Sequence, residues 1–392
     1  MTLFNKTISI IGGTGHVGLP LGLSLSEKNF IVQLIDINKE NISKVNNGIM
    51  PFLEDGAEKV LKKNIKKNCI FASNKIELIK KSKYIIVCIG TPVNKNLEPE
   101  TKKFLTFFKR LNKMLNKNHI IIVRSSVYPG ICDQIFKILA NKNIAYCPER
   151  IVQGKSLKEL PKLPQIISGY TDLSIYHAKI IFKKISKKIL VTSILDAELI
   201  KLFSNAYRYI HFSITNQFYQ ICEKLDVDYN KLRKLMIDGY ERNKDLALPG
   251  FTAGPCLLKD TMQLASFLRG KFQLGYAAMK INEGLPIFLI KKLEQKMSLK
   301  NKKIGILGMA FKAETDDIRD SLSIKLRNYL HKRGFKFYCS DPYFKDKQII
   351  NSKSLIQKSD IIVVATPHIE YKNLKLPKNK ILIDVWGIIK KK

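Results

Sequence analysis

Thr7-Ile-Ser-Ile-Ile-Gly12-Gly13-Thr-Gly15-His16-Val17-Gly18-Leu-Pro-Leu-Gly-Leu-Ser-Leu25 sets a β-branched apolar run, a glycine-rich turn and an apolar helical stretch in immediate succession. This order decides the fold, because a buried strand feeding a helix through Gly-x-Gly-x-x-Gly opens a doubly wound parallel sheet. Asp36 closes the next strand candidate, 31–36, about 23 residues beyond Gly13. Each piece has a physical reason. Gly13 permits the tight turn, Gly15 lets backbone approach a pyrophosphate, Gly18 packs helix against strand, and Asp36 accepts hydrogen bonds from an adenosine ribose. The pattern predicts dinucleotide binding. A carboxylate at Asp36 would repel a 2′-phosphate, which selects NAD over NADP.

Outward from this segment, strand candidates recur at 84–89, 120–124 and 144–147, alternating with amphipathic stretches. That alternation is the signature of a parallel sheet with crossover helices. From Asp196 to about Leu225 the chain lacks Gly and Pro and spaces Leu199, Leu202, Phe203, Ala206 and Ile210 as one long helix. Strands return at 303–308, 336–341, 360–365 and 381–384, and this half echoes the first. Lys81-Ser-Lys-Tyr-Ile-Ile-Val-Cys-Ile-Gly-Thr91-Pro92 parallels Lys358-Ser-Asp-Ile-Ile-Val-Val-Ala-Thr-Pro367, and Asp36 and Asp341 each close a strand that follows a Gly-terminated strand and a helix. The reading is two α/β units flanking a helical middle.

A length of 392 residues predicts two or three domains. With 45% apolar residues the chain has a core to bury, which excludes intrinsic disorder despite a net charge of +35. No apolar run approaches the roughly 20 residues of a membrane span, and no basic leader with a long apolar core precedes the first strand. The expectation is a cytoplasmic protein without membrane insertion. Seven scattered cysteines without a Cys-x-x-Cys pair fit neither a disulfide framework nor a zinc ribbon, so no metal is expected. The lysines are spread along the chain, apart from the closing Lys390-Lys391-Lys392, so the charge predicts no specific nucleic-acid partner.

Cys256 follows a Gly254-Pro255 turn at the start of a helix, where backbone N–H groups and the helix dipole favour a thiolate. Asp260 shares its helical face at i+4, as a nucleophile and a base must. A buried structural cysteine would satisfy the same local pattern. Lys201, Asn205 and Arg208 recur at i, i+4 and i+7 on the long helix, either a solvated stripe or the wall of a site.

The chain resembles the UDP-glucose/GDP-mannose dehydrogenase family of NAD-dependent nucleotide-sugar 6-dehydrogenases. Six blocks carry the resemblance: Gly13 to Pro20, Ser125-Ser126-Val-Tyr-Pro-Gly130, Cys147-Pro-Glu149-Arg150, Glu198-Leu-Ile-Lys201 with Asn205 and Arg208, Gly250 to Asp260, and Phe311-Lys312-Ala-Glu-Thr-Asp-Asp-Ile-Arg319-Asp-Ser321. It implies an NAD-binding Rossmann domain over 1–190, a central helical domain with the cysteine loop over 191–297, and a Rossmann-like UDP-sugar domain over 298–392. It also implies a homodimer through the central long helix. The implied reaction is a four-electron oxidation of a sugar C6 alcohol with two NAD reduced. Cys256 would be the nucleophile, Lys201 and Asn205 would stabilise the oxyanion, Asp260 would handle protons, and Glu149 would assist thioester hydrolysis. By the same resemblance His16, Val17, Thr91, Ser126 and Lys259 join the glycines and Asp36 around NAD. Arg150, Arg208, Arg242, Gly250, Gly254, Phe311, Lys312 and Arg319 would contact the UDP-sugar.

The chain departs from the family at Thr252-Ala253, at Gln153, and at Arg124, where the family carries an acid before the Ser125 block. Cys-Pro-Glu-Arg at 147–150 resembles the branch acting on UDP-N-acetylhexosamines, with UDP-glucose as the alternative. Readings from other classes are a catalytically silent nucleotide-sugar- or NAD-binding protein, which the intact Cys256, Lys201, Asn205 and Asp260 oppose, and a basic nucleic-acid-binding scaffold, which dispersed lysines oppose.

Overall fold

A computed structural model describes residues 3–94, 97–252 and 254–389; Ala253 and the closing Lys390 to Lys392 lie outside the described residues. The chain divides into two compact units, Met1–Ser204 and Asn205–Lys392.

The first unit contains strands β1 (Thr7–Ile11), β2 (Ile31–Ile35), β3 (Ile70–Ser73), β4 (Tyr84–Val87), β5 (Ile120–Val123), β6 (Ile144–Tyr146), β7 (Gln165–Gly169) and β8 (Ile189–Val191). They form one sheet in the order β3-β2-β1-β4-β5-β6-β7-β8. The first six places follow the doubly wound dinucleotide-binding order, whose reversal between β1 and β4 opens a crevice at the carboxyl ends of the strands. Strand alternation splits the apolar residues between two cores. Ile8, Ile10, Ile86, Ile120 and Ile122 pack with Leu19, Leu23 and Leu34 on one face, whereas Ile85, Val87, Ile121 and Val123 pack with Phe108, Ile131 and Ile135 on the other. Both faces being covered is why these strands read as continuous Ile/Val runs.

Three strands lie beyond the expected set. β3 and β8 are short edge strands with exposed apolar residues (Phe71, Leu190, Val191), so neither shows a buried run. β7 runs antiparallel to β6, a departure from the all-parallel sheet, with only Ile166 and Ile167 to mark it.

In the second unit β9 (Lys303–Leu307), β10 (Lys336–Ser340), β11 (Ile361–Val364) and β12 (Ile381–Ile383) form a parallel sheet in the order β10-β9-β11-β12. β9 lies between β10 and β11 as β1 lies between β2 and β4, so the echo in the sequence is an echo in topology. The expected long helix runs Ile194–Lys224, and helices Leu257–Phe267 and Gln273–Lys296 follow it. Leu285, Leu289 and Ile290 of the last helix pack with Ile304, Ile306, Leu322 and Leu326 in one core.

Candidate active site

In the first unit the glycine turn sits at the carboxyl end of β1. The residue that makes the turn is Gly12, with φ +76°, rather than Gly13; the N–H groups of both donate to Ile35 O, at 2.9 and 3.1 Å. Gly13 and Gly18 are close-approach positions, since a Cβ on Gly18 would lie 2.4 Å from Gly12 O and one on Gly13 2.7 Å from Leu34 Cα. Gly15 is different, for a Cβ there would meet only Gly12 O at 3.4 Å. Its face is therefore open to a ligand. The helix Gly18–Ser26 that follows has no side-chain cap at Val17; Leu19 N donates to Gly15 O at 3.0 Å and Pro20 carries no N–H, which leaves Gly18 N as the first-turn group for an anion. His16 lies against Phe52, with ring centroids 3.9 Å apart and planes tilted by 40°.

Asp36 stands at the end of β2, accepting from Thr14 N on Oδ2 (3.0 Å) and from Ile37 N and Asn38 N on Oδ1 (2.8 and 3.1 Å). A carboxylate has about four lone-pair positions, so one remains for a ribose hydroxyl. At the ends of β4 and β5, Thr91 Oγ1 donates to Ser126 O at 2.5 Å, which joins two of the expected cofactor contacts. An open glycine backbone, an uncapped helix start and a carboxylate with a spare acceptor position fit a dinucleotide.

Beyond β6, Glu149 is buried and paired with the fully buried Arg124. Arg124 also donates from NH1 to Cys147 O at 3.0 Å and from NH2 to Gln165 Oε1 at 2.9 Å. Arg150 donates from NH2 to Pro164 O at 2.6 Å. Further on, Glu198 of the long helix accepts from Gly130 N and Cys132 N (2.6 and 2.9 Å), capping the helix Ile131–Ile138. Burial pushes its carboxyl above the ordinary range, against the lowering effect of these bonds. One turn later Lys201 is buried, as is Asn205 in the next, whereas Arg208 is exposed, so the expected polar stripe changes environment along its length.

In the second unit the cysteine turn is built from close contacts. Gly250 has φ +155°, and a Cβ there would lie 2.4 Å from the Trp386 ring; a Cβ on Gly254, at φ +110°, would lie 2.5 Å from Phe311. Only glycine lets the turn approach the aromatic residues this closely. Asn216 and Asn282, both fully buried, hold the turn from the helix side, with Gly250 N donating to Asn216 Oδ1 at 2.8 Å. Their polar side chains sit among apolar helix positions, and that was the one signal by which the sequence could have found them. Cys256 is the N-cap residue of Leu257–Phe267 and is exposed. By contrast Cys132, Cys147, Cys222 and Cys339 are buried, and burial pushes the Cys147 thiol up to about 12 and that of Cys339 to about 11. Those sulfurs are inert at neutral pH.

Asp260, fully buried one turn after Cys256, accepts from Asn205 Nδ2 at 2.5 Å and lies 2.5 Å from Lys259 Nζ. Two of the expected catalytic residues are thus in direct contact, and Lys259 pairs with Asp260. Arg319 forms a forked pair with Asp317, through Nε at 2.9 Å and NH2 at 2.6 Å. That bond chiefly raises the Arg319 pKa, with attraction to Cys256 a smaller contribution. A cation there is the environment that a sulfur nucleophile requires. Phe311 N donates to Asp317 O at 2.9 Å, tying the Phe311 to Arg319 loop together, with Lys312 half-buried in it. Arg208 and Arg242 are exposed and take no part in these contacts; Arg242 lies over the Tyr240 ring.

A dinucleotide-type first unit and a second unit with an exposed cysteine at a helix start mark the class as NAD-dependent oxidoreductases. Comparison with known proteins narrows it. The NAD binding, central and UDP binding domains of the UDP-glucose/GDP-mannose dehydrogenase family match residues 6–186, 195–284 and 305–391. The chain belongs to this family, whose members are NAD-dependent nucleotide-sugar dehydrogenases. It is 27% identical to a UDP-N-acetyl-D-mannosamine dehydrogenase of Pyrococcus horikoshii, over 96% of this chain and 95% of that one. It is 26% identical to a UDP-glucose 6-dehydrogenase of Rickettsia bellii, over 96% and 94% of the two chains. A solved structure of a UDP-D-ManNAc dehydrogenase from Pyrococcus horikoshii superposes with a TM-score of 0.89 at 25% identity, covering 98% of this chain and 96% of that one. The expectations of NAD as cofactor and of a UDP-binding carboxyl-terminal part are borne out. Among the described residues no helix is long and apolar enough to cross a membrane.

Proposed function

We propose that the protein oxidises the C6 alcohol of a UDP-N-acetylhexosamine to the carboxylate in two two-electron steps, through a thioester on Cys256. The observation that carries this reading is Cys256, exposed at a helix start one turn from the buried Asp260–Asn205 pair. NAD, when bound, supplies the hydride acceptor for both oxidations. Gly15, the open start of Gly18–Ser26 and Asp36 would hold its pyrophosphate and ribose, and Thr91 and Ser126 line the ends of β4 and β5 beside it.

The residues of this chain divide the rest. The substrate hydroxyl gives up its proton as the first hydride leaves. The Cys256 thiolate then adds to the aldehyde, forming a C–S bond, and the alkoxide takes up a proton to give a thiohemiacetal. Loss of a second hydride and of the hydroxyl proton gives the thioester. Water then adds, the C–S bond breaks, and the thiolate is restored beside the product carboxylate. Net, one alcohol, one water and two NAD+ yield one carboxylate, two NADH and three protons. Lys201 and the Asn205 amide are assigned the oxyanion, worth about 2.7 to 4 kcal/mol per donor. Asp260 is assigned the protons, with Lys259 paired to it. Arg319, kept cationic by Asp317, serves the nucleotide, and Arg150, Arg208, Arg242 and Lys312 are assigned to the UDP-sugar.

Cys-Pro-Glu-Arg and the Pyrococcus relative favour the N-acetylhexosamine; the Rickettsia relative keeps UDP-glucose as a second reading. The three parts 1–190, 191–297 and 298–392 would divide cofactor, nucleophile and nucleotide. We also propose a homodimer, because Phe203, Tyr207, Ile214, Phe218 and Ile221 are exposed at three-, four- and seven-residue spacings along one helix, the pattern of a helix-pairing seam. An exposed nucleophilic thiol suits a reducing compartment, hence the cytoplasm. The test is NADH release from a panel of UDP-sugars. Two NADH per UDP-N-acetylmannosamine or its epimer supports the assignment; two per UDP-glucose alone moves it to the second reading; none from any UDP-sugar removes it.

A further inference from the structure

The carboxylate that the family resemblance sets to thioester hydrolysis has no acceptor position left. Glu149 Oε2 accepts from Arg124 Nε at 3.0 Å and from Arg124 NH2, while Oε1 accepts from Arg150 N at 2.7 Å and Ile151 N at 3.0 Å. Those are about as many donors as a carboxylate has lone-pair positions. The guanidinium places four of its five N–H groups. It donates to Glu149, Cys147 O and Gln165 Oε1, is wholly buried, and lies 4.7 Å from the centre of the Phe182 ring.

The neighbouring turn is held in the same way. Val152 N donates to Glu159 Oε2 at 2.6 Å, Gly154 N to Glu54 Oε2 at 3.0 Å and Ser156 N to Glu54 Oε1 at 2.5 Å. Five backbone N–H groups between 150 and 156 therefore end on three carboxylates, of which Glu149 is the one tied to the sheet. A proton carrier needs a free lone pair facing water, and this group has none. A clamp needs saturated partners, rigid placement and a buried counter-charge, and it has all three.

We propose that Glu149 is a positioning residue, locked by Arg124, which fixes the 147–156 turn and its Arg150 at the carboxyl ends of β5 and β6, and that it moves no proton in the reaction. Arg124, through its Nε and NH2 bonds to Glu149 Oε2, is the residue that makes it so. The proposal rests on the dehydrogenase reading for its kinetics and on the pair itself for its stability.

The experiment compares wild type, Arg124→Met, Glu149→Gln, the double variant and Arg124→Lys, measuring urea midpoints and NADH release per subunit. Arg124→Met strands a buried carboxylate, and Glu149→Gln turns an amide donor on the guanidinium, so each single variant unfolds at lower urea. In the double variant the amide oxygen keeps the Arg150 and Ile151 N–H bonds, and its nitrogen can turn to the vacated Gln165 acceptor. The expected result is a double variant with a midpoint above both singles that turns over repeatedly, at two NADH per sugar and within about tenfold of the wild-type rate. Arg124→Lys should leave the acid limb of the kcat–pH profile where it is in wild type. A double variant that stalls after two NADH per subunit, with acyl mass trapped on Cys256, overturns the proposal, as does an acid limb moved by Arg124→Lys. A double midpoint no higher than the weaker single, or a double variant that does not fold, overturns the clamp. If wild type forms no NADH with any UDP-sugar, the dehydrogenase reading fails and the urea cycle alone decides the clamp.

Discussion

Asn216 grips the peptide of Gly250 from both sides: it accepts from Gly250 N on Oδ1 at 2.8 Å and donates from Nδ2 to Gly250 O at 3.2 Å. The same Nδ2 reaches Asn282 Oδ1 at 2.9 Å, and Asn282 in turn donates to Tyr209 O at 3.0 Å. The turn that leads to Cys256 is thus pinned at its first residue by two buried amides from two helices. Asn216→Ala takes the acceptor from the Gly250 N–H and the donor from Asn282 Oδ1, both buried, at about 1 to 3 kcal/mol each, whereas Gly250 O keeps the bond from Thr252 N at 2.8 Å. The expected outcome is a loss of about 2 to 5 kcal/mol in urea unfolding, together with a fall in kcat that exceeds any rise in KM. An unchanged kcat in folded protein would show that the turn keeps its shape without the grip.

Cys256→Ser should abolish completed oxidation while leaving NAD and UDP-sugar binding near wild-type values. A hydroxyl at the helix start lacks the nucleophilicity of a thiolate, although it fills nearly the same volume. Calorimetric titration with each ligand, beside NADH release, separates the two effects. Full turnover by the serine variant would end the thioester route.

Asp36→Asn should raise the KM for NAD and narrow the preference for NAD over NADP. The variant loses the charge that repels a 2′-phosphate and sets an amide nitrogen against the Thr14 N–H that Asp36 Oδ2 accepts at 3.0 Å. Steady-state kinetics with both cofactors check it. A wild type that uses NAD and NADP equally would move the ribose contact elsewhere.

Both Asp36 and its counterpart Asp341 were legible as strand-closing acids, and the structure gives them the same work. Asp341 Oδ2 accepts from Met309 N and Ala310 N at 2.6 and 3.1 Å, as Asp36 accepts from Thr14 N. What separates them was not legible. His368 is buried against Asp341, with Nε2 at 3.2 Å, a pairing across 27 residues that no local pattern announces. The same holds for Arg124 with Glu149 and Gln165, separated by 25 and 41 residues, and for Asn216 with Asn282. Periodicity reveals which residues face a core, and motifs reveal which turns need glycine. Which buried polar groups satisfy one another depends on sheet order, and β7, which carries Gln165 at its start and pairs antiparallel with β6 at its end, lacked a period to betray it.

Phe218→Glu together with Ile221→Glu should convert a dimer into a monomer, because two carboxylates on the exposed seam of Ile194–Lys224 would be desolvated by a facing helix. Light scattering after size exclusion reads the mass. A wild type that is monomeric at assay concentration, or a double variant that stays dimeric, would set the seam aside.

Stability should carry an unusual pH component from Glu54 and Glu198. Burial is the first cause acting on each and raises both carboxyls above the ordinary glutamate value of 4.5, while hydrogen bonds from Ser156 and Gly154, and from Gly130 and Cys132, lower them only in part. A carboxyl whose folded pKa is raised holds its proton more tightly folded than unfolded. Its contribution is therefore fully present below the unfolded pKa and is lost as pH rises through the folded one. The window opens near pH 4.5 and extends upward, opposite in sign to the contribution of Asp341. There burial raises the carboxyl, but the His368 bond and charge outweigh it, so that stability is lost as pH falls through the lowered value. Urea unfolding from pH 4 to 7 should show the wild-type gain on raising pH to be smaller than in Glu198→Gln. That variant removes one of the two raised carboxyls, although its overall stability falls because an amide nitrogen replaces an acceptor at the Gly130 or Cys132 N–H. A steeper rise with pH in wild type than in Glu198→Gln would show that the helix-capping bonds, and not burial, govern this carboxyl.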